Sequence, residues 1–417
     1  MDQKSFNDTL DRLSRQVLYS LRQSARNNLA DSPIVQLTDM ILHHAIEVKA
    51  TDIHIEPQRD RLRLRYRIDG MLTELHKPLD PALITTVVSR IKIMSAMDTT
   101  KSHVPLDGRI DFMHNGRKTD MRTASMPTAH GETLVIRLMD VEENLKTIGE
   151  LGMSARTEQI FRRLINSPSG MFVVTGPMNS GKSTSLYAAL RELNRGERNI
   201  MTLEDPIEQL LDGVSQSDLS GVGEFNFADG LRSMMRMDCN VIMVGEIRDA
   251  ETAKTAIRAA LTGHLILTTL HAKDTCSALF RLLEMEIEPY LLAATLSGVM
   301  SQRLVRRLCP DCRREYEIEA GSNDAALLGR NFENGLKMFR AEGCEQCRGT
   351  GYRGRLALHE ILPIDDRMRS LILNFSSIDE IRSTALSNGL LTLFDDGIKK
   401  AAEGLTTLDE LRRVIDV

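Results

Sequence analysis

Residues 171–184 read MFVVTGPMNSGKST, and the rest of the chain takes its meaning from this stretch. Four apolar residues followed by Thr175 predict a buried strand, Gly176 to Ser183 fits the pattern Gly-x-x-x-x-Gly-Lys-Ser, and a helix is predicted from Ser183. Strand, loop and helix in that order make a concave anion site. Backbone N–H groups and the helix N-terminus face the anion, Lys182 reaches terminal phosphates, and the Ser183 hydroxyl is suited to Mg²⁺. The expected nucleotide-contacting set is Gly176, Asn179, Ser180, Gly181, Lys182, Ser183 and Thr184, with ATP and Mg²⁺ as the ligands.

Working outward, NIMTLE (199–204), VIMVG (241–245) and HLILTTL (264–270) are further apolar strands separated by helical stretches. Near-continuous apolar strands of this kind predict a parallel sheet covered on both faces. A phosphate loop needs an acidic group at a second strand end to position Mg²⁺ and the attacking water. Glu246, just after VIMVG, supplies it. Because Gly245 stands where an acidic neighbour is usual, Glu246 is assigned to polarising water rather than to direct metal ligation. The cluster Glu204-Asp205-Pro206-Ile207-Glu208 is a second acidic group, suited to holding Mg²⁺ through waters.

Upstream, Phe6, Leu10, Leu13, Val17 and Leu21 recur at helical spacing between Ser5 and Arg22, and a second helix is predicted from Pro33 to before Thr51. The period then falls to two: DIHIEP and RLRLRYRIDG are strands, with Arg61, Arg63, Arg65 and Arg67 on the face opposite Leu62, Leu64, Tyr66 and Ile68. After a helical stretch at 81–97, alternation returns in GRIDFM, KTDMRTASM and ETLVIRLMD. The expected organisation is an amphipathic helical segment (1–30), an α/β domain (31–141), a linker (142–152), a phosphate-loop core (153–305), a cysteine-bearing segment (306–358) and C-terminal helices (359–417).

Composition sets limits on function. At 417 residues, 42% hydrophobic and 27% charged, the chain is globular and of several domains, neither disordered nor collagen-like. A net charge of −5 gives no general attraction to nucleic acid. No apolar run is long enough to span a bilayer and no secretory leader is visible at the start, so a cytoplasmic protein is expected. Of 6 cysteines, Cys309/Cys312 and Cys344/Cys347 form two Cys-x-x-Cys pairs, the ligand count of a closed structural zinc site. Cys239 and Cys276 stand alone and are read as packing residues.

The order GPMNSGKST, TLEDPIE, VIMVGEIRDAETA, ALTGHLILTTLHA, CPDC, GCEQC and GYRGRLALHEIL resembles the type II secretion and type IV pilus assembly ATPase family. DIHIEP, YRIDG, PLDGRI and MRTASMPTAHGE resemble its N-terminal domain. The resemblance implies a PAS-like α/β domain followed by a RecA-like ATPase with a zinc-binding insertion and C-terminal helices. It also implies a homo-hexamer, peripheral at the inner membrane through a platform protein, that assembles pilin-like subunits in a pilus or secretion complex. The four-cysteine insertion favours assembly over retraction. Residue by residue, Glu204 and Asp205 match the aspartate box, Glu246 the Walker B glutamate, and His264 and His271 the histidine box. Arg122 and Arg137 match arginines that reach from the N-terminal domain to the nucleotide. Two departures stand out: Met178-Asn179 in the loop, where the family has Thr-Gly, and Asp238-Cys239-Asn240 before Walker B. The family also commonly carries a whole extra N-terminal domain that contacts the membrane complex. The short N-terminal helix is read in two ways: its apolar stripe packs on its own domain, or it docks on the platform.

Two other readings compete. A nucleic-acid translocating RecA-like motor would use the Arg61–Arg67 stripe to track phosphates. A nucleotide-gated scaffold would bind without hydrolysis.

Overall fold

The computed structural model describes residues 3–23, 32–74, 78–139, 145–220, 226–329 and 335–415. The expected linker begins outside them, at 142–144. The chain forms two units, residues 1–143 and 144–417.

The alternating segments of unit 1 pair into one antiparallel sheet. Its strands are β1 (Ala50–Pro57), β2 (Leu62–Ile68), β3 (Met71–Thr73), β4 (Leu106–His114), β5 (Arg117–Thr128) and β6 (Gly131–Met139), in the order β3-β2-β1-β6-β5-β4. Ile53, Ile55, Leu64, Tyr66, Leu134 and Ile136 are buried, as a period of two places them on one face. They pack with α1 (Gln3–Gln23), α2 (Pro33–Glu47) and α3 (Ile84–Met94). The Tyr66 hydroxyl fixes α2 to the sheet by donating to the Ile41 carbonyl at 2.9 Å.

The N-terminal helix does not present its apolar stripe to a partner. Phe6, Leu10, Leu13 and Val17 are at most 4% exposed inside the core of unit 1, and the Phe6 ring stacks on His44 at 3.6 Å. Only Leu21 of the five is exposed. Burying four apolar side chains is worth roughly 1.5–3 kcal/mol each, which favours packing on the helix's own domain over solvent. The expected separate segment 1–30 is thus part of the α/β unit as far as its helix is described.

Most of the arginine stripe is engaged within its own sheet. Arg63 pairs with Glu74 at 3.0 Å, Arg65 grips both oxygens of Glu56, Arg67 meets Asp52 at 3.2 Å, and Arg61 donates to Gln58. That weakens one of the two grounds of the nucleic-acid reading, the other being a core shared with nucleic-acid motors.

Unit 2 is built on a seven-stranded sheet. Its strands are β7 (Gly170–Thr175), β8 (Ile200–Glu204), β9 (Ser215–Asp218), β10 (Val241–Val244), β11 (Leu265–Leu270), β12 (Leu296–Leu308) and, after the small pair β13 (Arg314–Glu317) and β14 (Lys337–Arg340), β15 (Tyr352–Pro363). The order is β15-β12-β7-β11-β10-β8-β9, parallel except for β15. Every residue of β7, β8, β10 and β11 is buried, because helices cover both faces. On one face α4 (Ala155–Ile165) sets Phe161 edge-on against Phe172, beside α5 (Lys182–Leu193).

Two expected boundaries fall inside strands. Residue 305 lies within β12 and residue 358 within β15, and these strands pair from Gly298↔Pro363 to Leu308↔Tyr352. The cysteine-bearing segment is therefore an excursion between two neighbouring strands of the main sheet. Arg303, Arg306 and Arg307 interrupt the apolar run of β12, which is why the pattern gave no strand there.

The C-terminal helices are fastened by two buried carboxylates. Glu360 accepts from the Thr275 N–H (3.0 Å) and hydroxyl (2.5 Å) and from the Leu393 N–H (3.2 Å), so it serves the first turns of helices Thr275–Glu284 and Leu393–Ala402 together. Glu410, 1% exposed, takes Nε and Nη2 of Arg306 at 2.9 and 2.6 Å and Nε and Nη2 of Arg413 at 2.8 and 2.6 Å.

Candidate functional site

The phosphate loop runs from the end of β7 into α5, which begins at Lys182, one residue before the expected start. Its geometry depends on β12. A Cβ on Gly176 would stand 2.5 Å from the Gln302 carbonyl, and one on Gly181 (φ +86°) would stand 2.7 Å from Gln302 Nε2. Gln302, 2% exposed, also accepts from the Ser185 hydroxyl at 2.7 Å. This glutamine braces the loop from behind, and no motif announced it.

The departures at 178–179 are accommodated. Asn179 takes φ +60°, the left-handed region that asparagine enters more readily than most residues, so it fills a glycine's backbone role. Met178 points largely into solvent, at 74% exposed. Asn240, in the second departure, accepts from the Asn199 N–H at 2.8 Å through its side chain.

The loop's donors converge inward. Lys182 Nζ donates to the carbonyls of Gly176 and Pro177, both at 3.0 Å. Burial pulls the Lys182 ammonium below the usual lysine range, against the charge of Glu246, which favours the ammonium form. The Ser180 hydroxyl is buried with no hydrogen-bond partner among the described residues. A buried orphan donor beside a cationic side chain and a helix N-terminus fits an anion of phosphate size. Ser183, in the first turn of α5, is the residue that would hold Mg²⁺.

At the ends of β8, β10 and β11 the expected acidic groups separate into two kinds. Glu246 accepts from Arg248 Nε at 2.7 Å and lies 3.3 Å from His271 Nε2. Arg248 Nη1 extends to Asp205 at 3.3 Å, so Asp205, Glu246, Arg248 and His271 make one polar cluster. Glu204 is different. It is 4% exposed, bound by the Tyr187 hydroxyl, by Thr202 at 2.5 Å and by Gln216 at 3.1 Å. These hydroxyl and amide donors give Glu204 a structural part that the sequence did not announce. Tyr187 also accepts from the N–H groups of Glu208 and Gln209, so the pair anchors the acidic turn to α5. His264 lies outside the cluster, its Nδ1 3.0 Å from the Ala259 carbonyl at a helix end.

Arg122 and Arg137 are cross-strand neighbours on β5 and β6 of unit 1. The Arg122 Nε is buried without a partner among the described residues, and the Arg137 side chain is 53% exposed.

The four cysteines come together. Sγ–Sγ distances are 3.9 Å for Cys309–Cys344, 3.8 Å for Cys312–Cys347 and 3.7 Å for Cys344–Cys347. A regular tetrahedron of thiolates around zinc, with bonds of about 2.3 Å, has edges of about 3.8 Å. The spacing suits one shared ion and excludes disulfides. Burial alone would raise the Cys347 thiol, but the N–H groups of Cys344 and Gly351, each 3.1 Å from its sulfur, help bring it down to about 7. Cys239 and Cys276 are buried elsewhere in the sheet core, and burial pushes the Cys276 thiol up to about 11.

A phosphate loop on a mainly parallel sheet, with a glutamate at the next strand end, defines an α/β ATPase of the P-loop class. The chain belongs to the type II/IV secretion system protein family, whose model matches residues 27–413. It is 44% identical over 388 residues to the type II secretion system ATPase E of Vibrio cholerae, covering 92% of this chain and 76% of that protein. It is 41% identical over 384 residues to the type IV pilus assembly ATPase PilB of Myxococcus xanthus, covering 91% and 68%. The fold matches the X-ray structure of the Legionella pneumophila ATPase DotB with a TM-score of 0.68 at 23% identity, covering 91% of this chain and 95% of that one. The chain is accordingly an ATP-hydrolysing motor of the secretion and pilus-assembly kind, with a RecA-like core and a four-cysteine insertion.

Proposed function

We propose that this chain works as a homo-hexamer at the cytoplasmic face of the inner membrane. There it couples ATP hydrolysis to assembly of pilin-like subunits through a platform protein of a type II secretion or type IV pilus complex. The hexamer and platform follow from the family resemblance. No helix among the described residues is long and apolar enough to cross a membrane, so attachment through a partner is the reading adopted. The observation that carries the hydrolytic part is the pairing of a converging phosphate loop with Glu246, held by Arg248 and His271.

In this reading Lys182, Ser180 and the N–H groups at the start of α5 bind the phosphates, and Asp205 and Ser183 serve Mg²⁺. When bound, that ion would neutralise charge developing on the phosphoryl oxygens. Glu246 orients the attacking water as a hydrogen-bond acceptor, and His271 and Arg248 keep its carboxylate in place. By the family resemblance, Arg122 and Arg137 are the arginines that neutralise charge on the transferring phosphoryl group. The four cysteines hold one zinc ion that closes the excursion between β12 and β15.

The test is a pair of substitutions in the full chain. Lys182→Ala is expected to lose ATP affinity, whereas Glu246→Gln binds ATP as the unsubstituted protein does and loses at least a hundredfold in turnover. Equal loss of binding in both would overturn the assignment of Glu246 to water.

A further inference from the structure

Beyond Ser301, which pairs with Thr175, β12 runs on past the end of β7 and alongside the phosphate loop. Successive side chains of a strand point to opposite faces. Gln302 therefore turns toward α5, where it meets Ser185, while Ser301 and Arg303 turn toward the segment that follows β11. That segment, residues 271–275, starts with His271 and is stitched at successive positions. The Ala272 N–H donates to the Thr175 hydroxyl at 2.9 Å, and the Asp274 carboxylate takes Arg382 at 2.6 Å. Thr275 gives its N–H and its hydroxyl to Glu360. Between these, the Lys273 carbonyl accepts from Arg303 Nη2.

Arg303 also reaches the phosphate loop. Its Nη1 donates at 3.1 Å to the Gln302 carbonyl, the same oxygen that stands 2.5 Å from where a Cβ on Gly176 would be. One planar guanidinium thus spans two backbone carbonyls, one against the first glycine of the loop and one two residues after His271. A lysine ammonium, a point charge on a flexible stem, has no rigid fork to span them. Arg303 is half-buried, and its positive charge joins burial in pulling the Lys182 ammonium below the usual lysine range.

We propose that Arg303 is a positioning residue for hydrolysis: its guanidinium holds the His271 segment in fixed register with the phosphate loop. The Glu246 carboxylate, 3.3 Å from His271 Nε2, is thereby set relative to the phosphates. A misplacement of about 1 Å at a reacting centre costs on the order of a hundredfold in rate. The phosphates still meet the loop and the start of α5 without this span, so its loss falls on kcat more than on ATP binding. The inference rests on the reading of Glu246 and His271 given above and adds what keeps that pair in register with the nucleotide.

A double-mutant cycle in the full-length protein tests it. ATP turnover, KM and melting temperature are measured for Arg303→Lys, His271→Ala and the double variant. Arg303→Lys keeps the charge beside Lys182 and loses the two-carbonyl span. It is expected to lower kcat about tenfold with KM within about twofold and melting nearly unchanged, and to add less than about twofold on top of His271→Ala. If His271→Ala turns over normally, the assignment of His271 to the water-holding pair falls, and the proposal with it. If His271→Ala is impaired but Arg303→Lys is not, or if the two losses multiply, positioning by Arg303 is overturned while that assignment stands. Should Arg303→Lys fail to fold, Arg303→Met keeps the packing of the stem without its donors. It must then lower kcat at least tenfold, and normal turnover would overturn the proposal.

Discussion

The Ser185 hydroxyl donates to Gln302 Oε1 at 2.7 Å across a fully buried contact, and so ties the phosphate-loop helix to a strand more than a hundred residues away in sequence. Gln302→Leu removes the acceptor and leaves the Ser185 hydroxyl unpaired, at a cost of about 1–3 kcal/mol. Melting temperature should fall and ATP affinity should weaken severalfold, since Gln302 also abuts Gly176 and Gly181. Thermal melts and nucleotide titration check both. Unchanged values would mean the loop keeps its shape without this brace.

For the cysteine cluster, elemental analysis of protein prepared without chelators should find about one zinc per chain. Cys344→Ser should lose that zinc and lower the protease resistance of residues 309–347, while ATP still binds at the loop. Metal-free protein from a zinc-replete preparation would rule the site out.

Glu410 sets an acid dependence. Burial would raise its carboxyl, but the guanidinium groups of Arg413 and Arg306 outweigh that and hold it at about 2. A carboxyl lowered in the folded state contributes stability that is complete above its unfolded value near 4.3 and is lost as pH falls toward 2. The contribution is about 3 kcal/mol at neutral pH. Glu410→Gln should therefore be markedly less stable than the unsubstituted chain at pH 7, with the gap closing between about pH 4.5 and pH 2. Denaturant melts across that range read it directly, and a gap independent of pH would assign the loss to packing.

The N-terminal helix makes the opposite prediction from a free docking segment. Leu10→Ala should destabilise unit 1 by about 2–5 kcal/mol, because Leu10 is fully buried. Deleting residues 1–25 should lower the melting temperature of unit 1. A deletion variant that melts like the full chain would restore the docking reading.

What the sequence made legible was whatever depends on local period or on a short motif. The β7–loop–α5 unit, the apolar strands around it, the alternating strands of unit 1 and the four-cysteine cluster all follow from spacing within a few residues. The polar strand β12 escaped because its arginines pair elsewhere: Arg306 is neutralised by Glu410, 104 positions on. The structural contacts of Glu204 escaped for a similar reason, since nothing near it in sequence reveals that the Tyr187 hydroxyl binds its carboxylate. Asp205, Glu246 and His271 were named individually, but Arg248 as the link between two of them becomes visible only once β8 and β10 are adjacent. The arginine stripe shows the converse error, because composition along one strand says nothing of the acids opposite.

Glu360 carries a consequence for how the protein comes apart. One carboxylate completes the first turns of two helices whose starts lie more than a hundred residues apart, so neither can fray without stranding a buried charge for the other. Helix Leu393–Ala402 is therefore expected to open together with helix Thr275–Glu284, and amide protons at Thr275 and Leu393 should exchange at a common, slow rate. A protease acting on the native chain would find no early release point between the motor core and its tail.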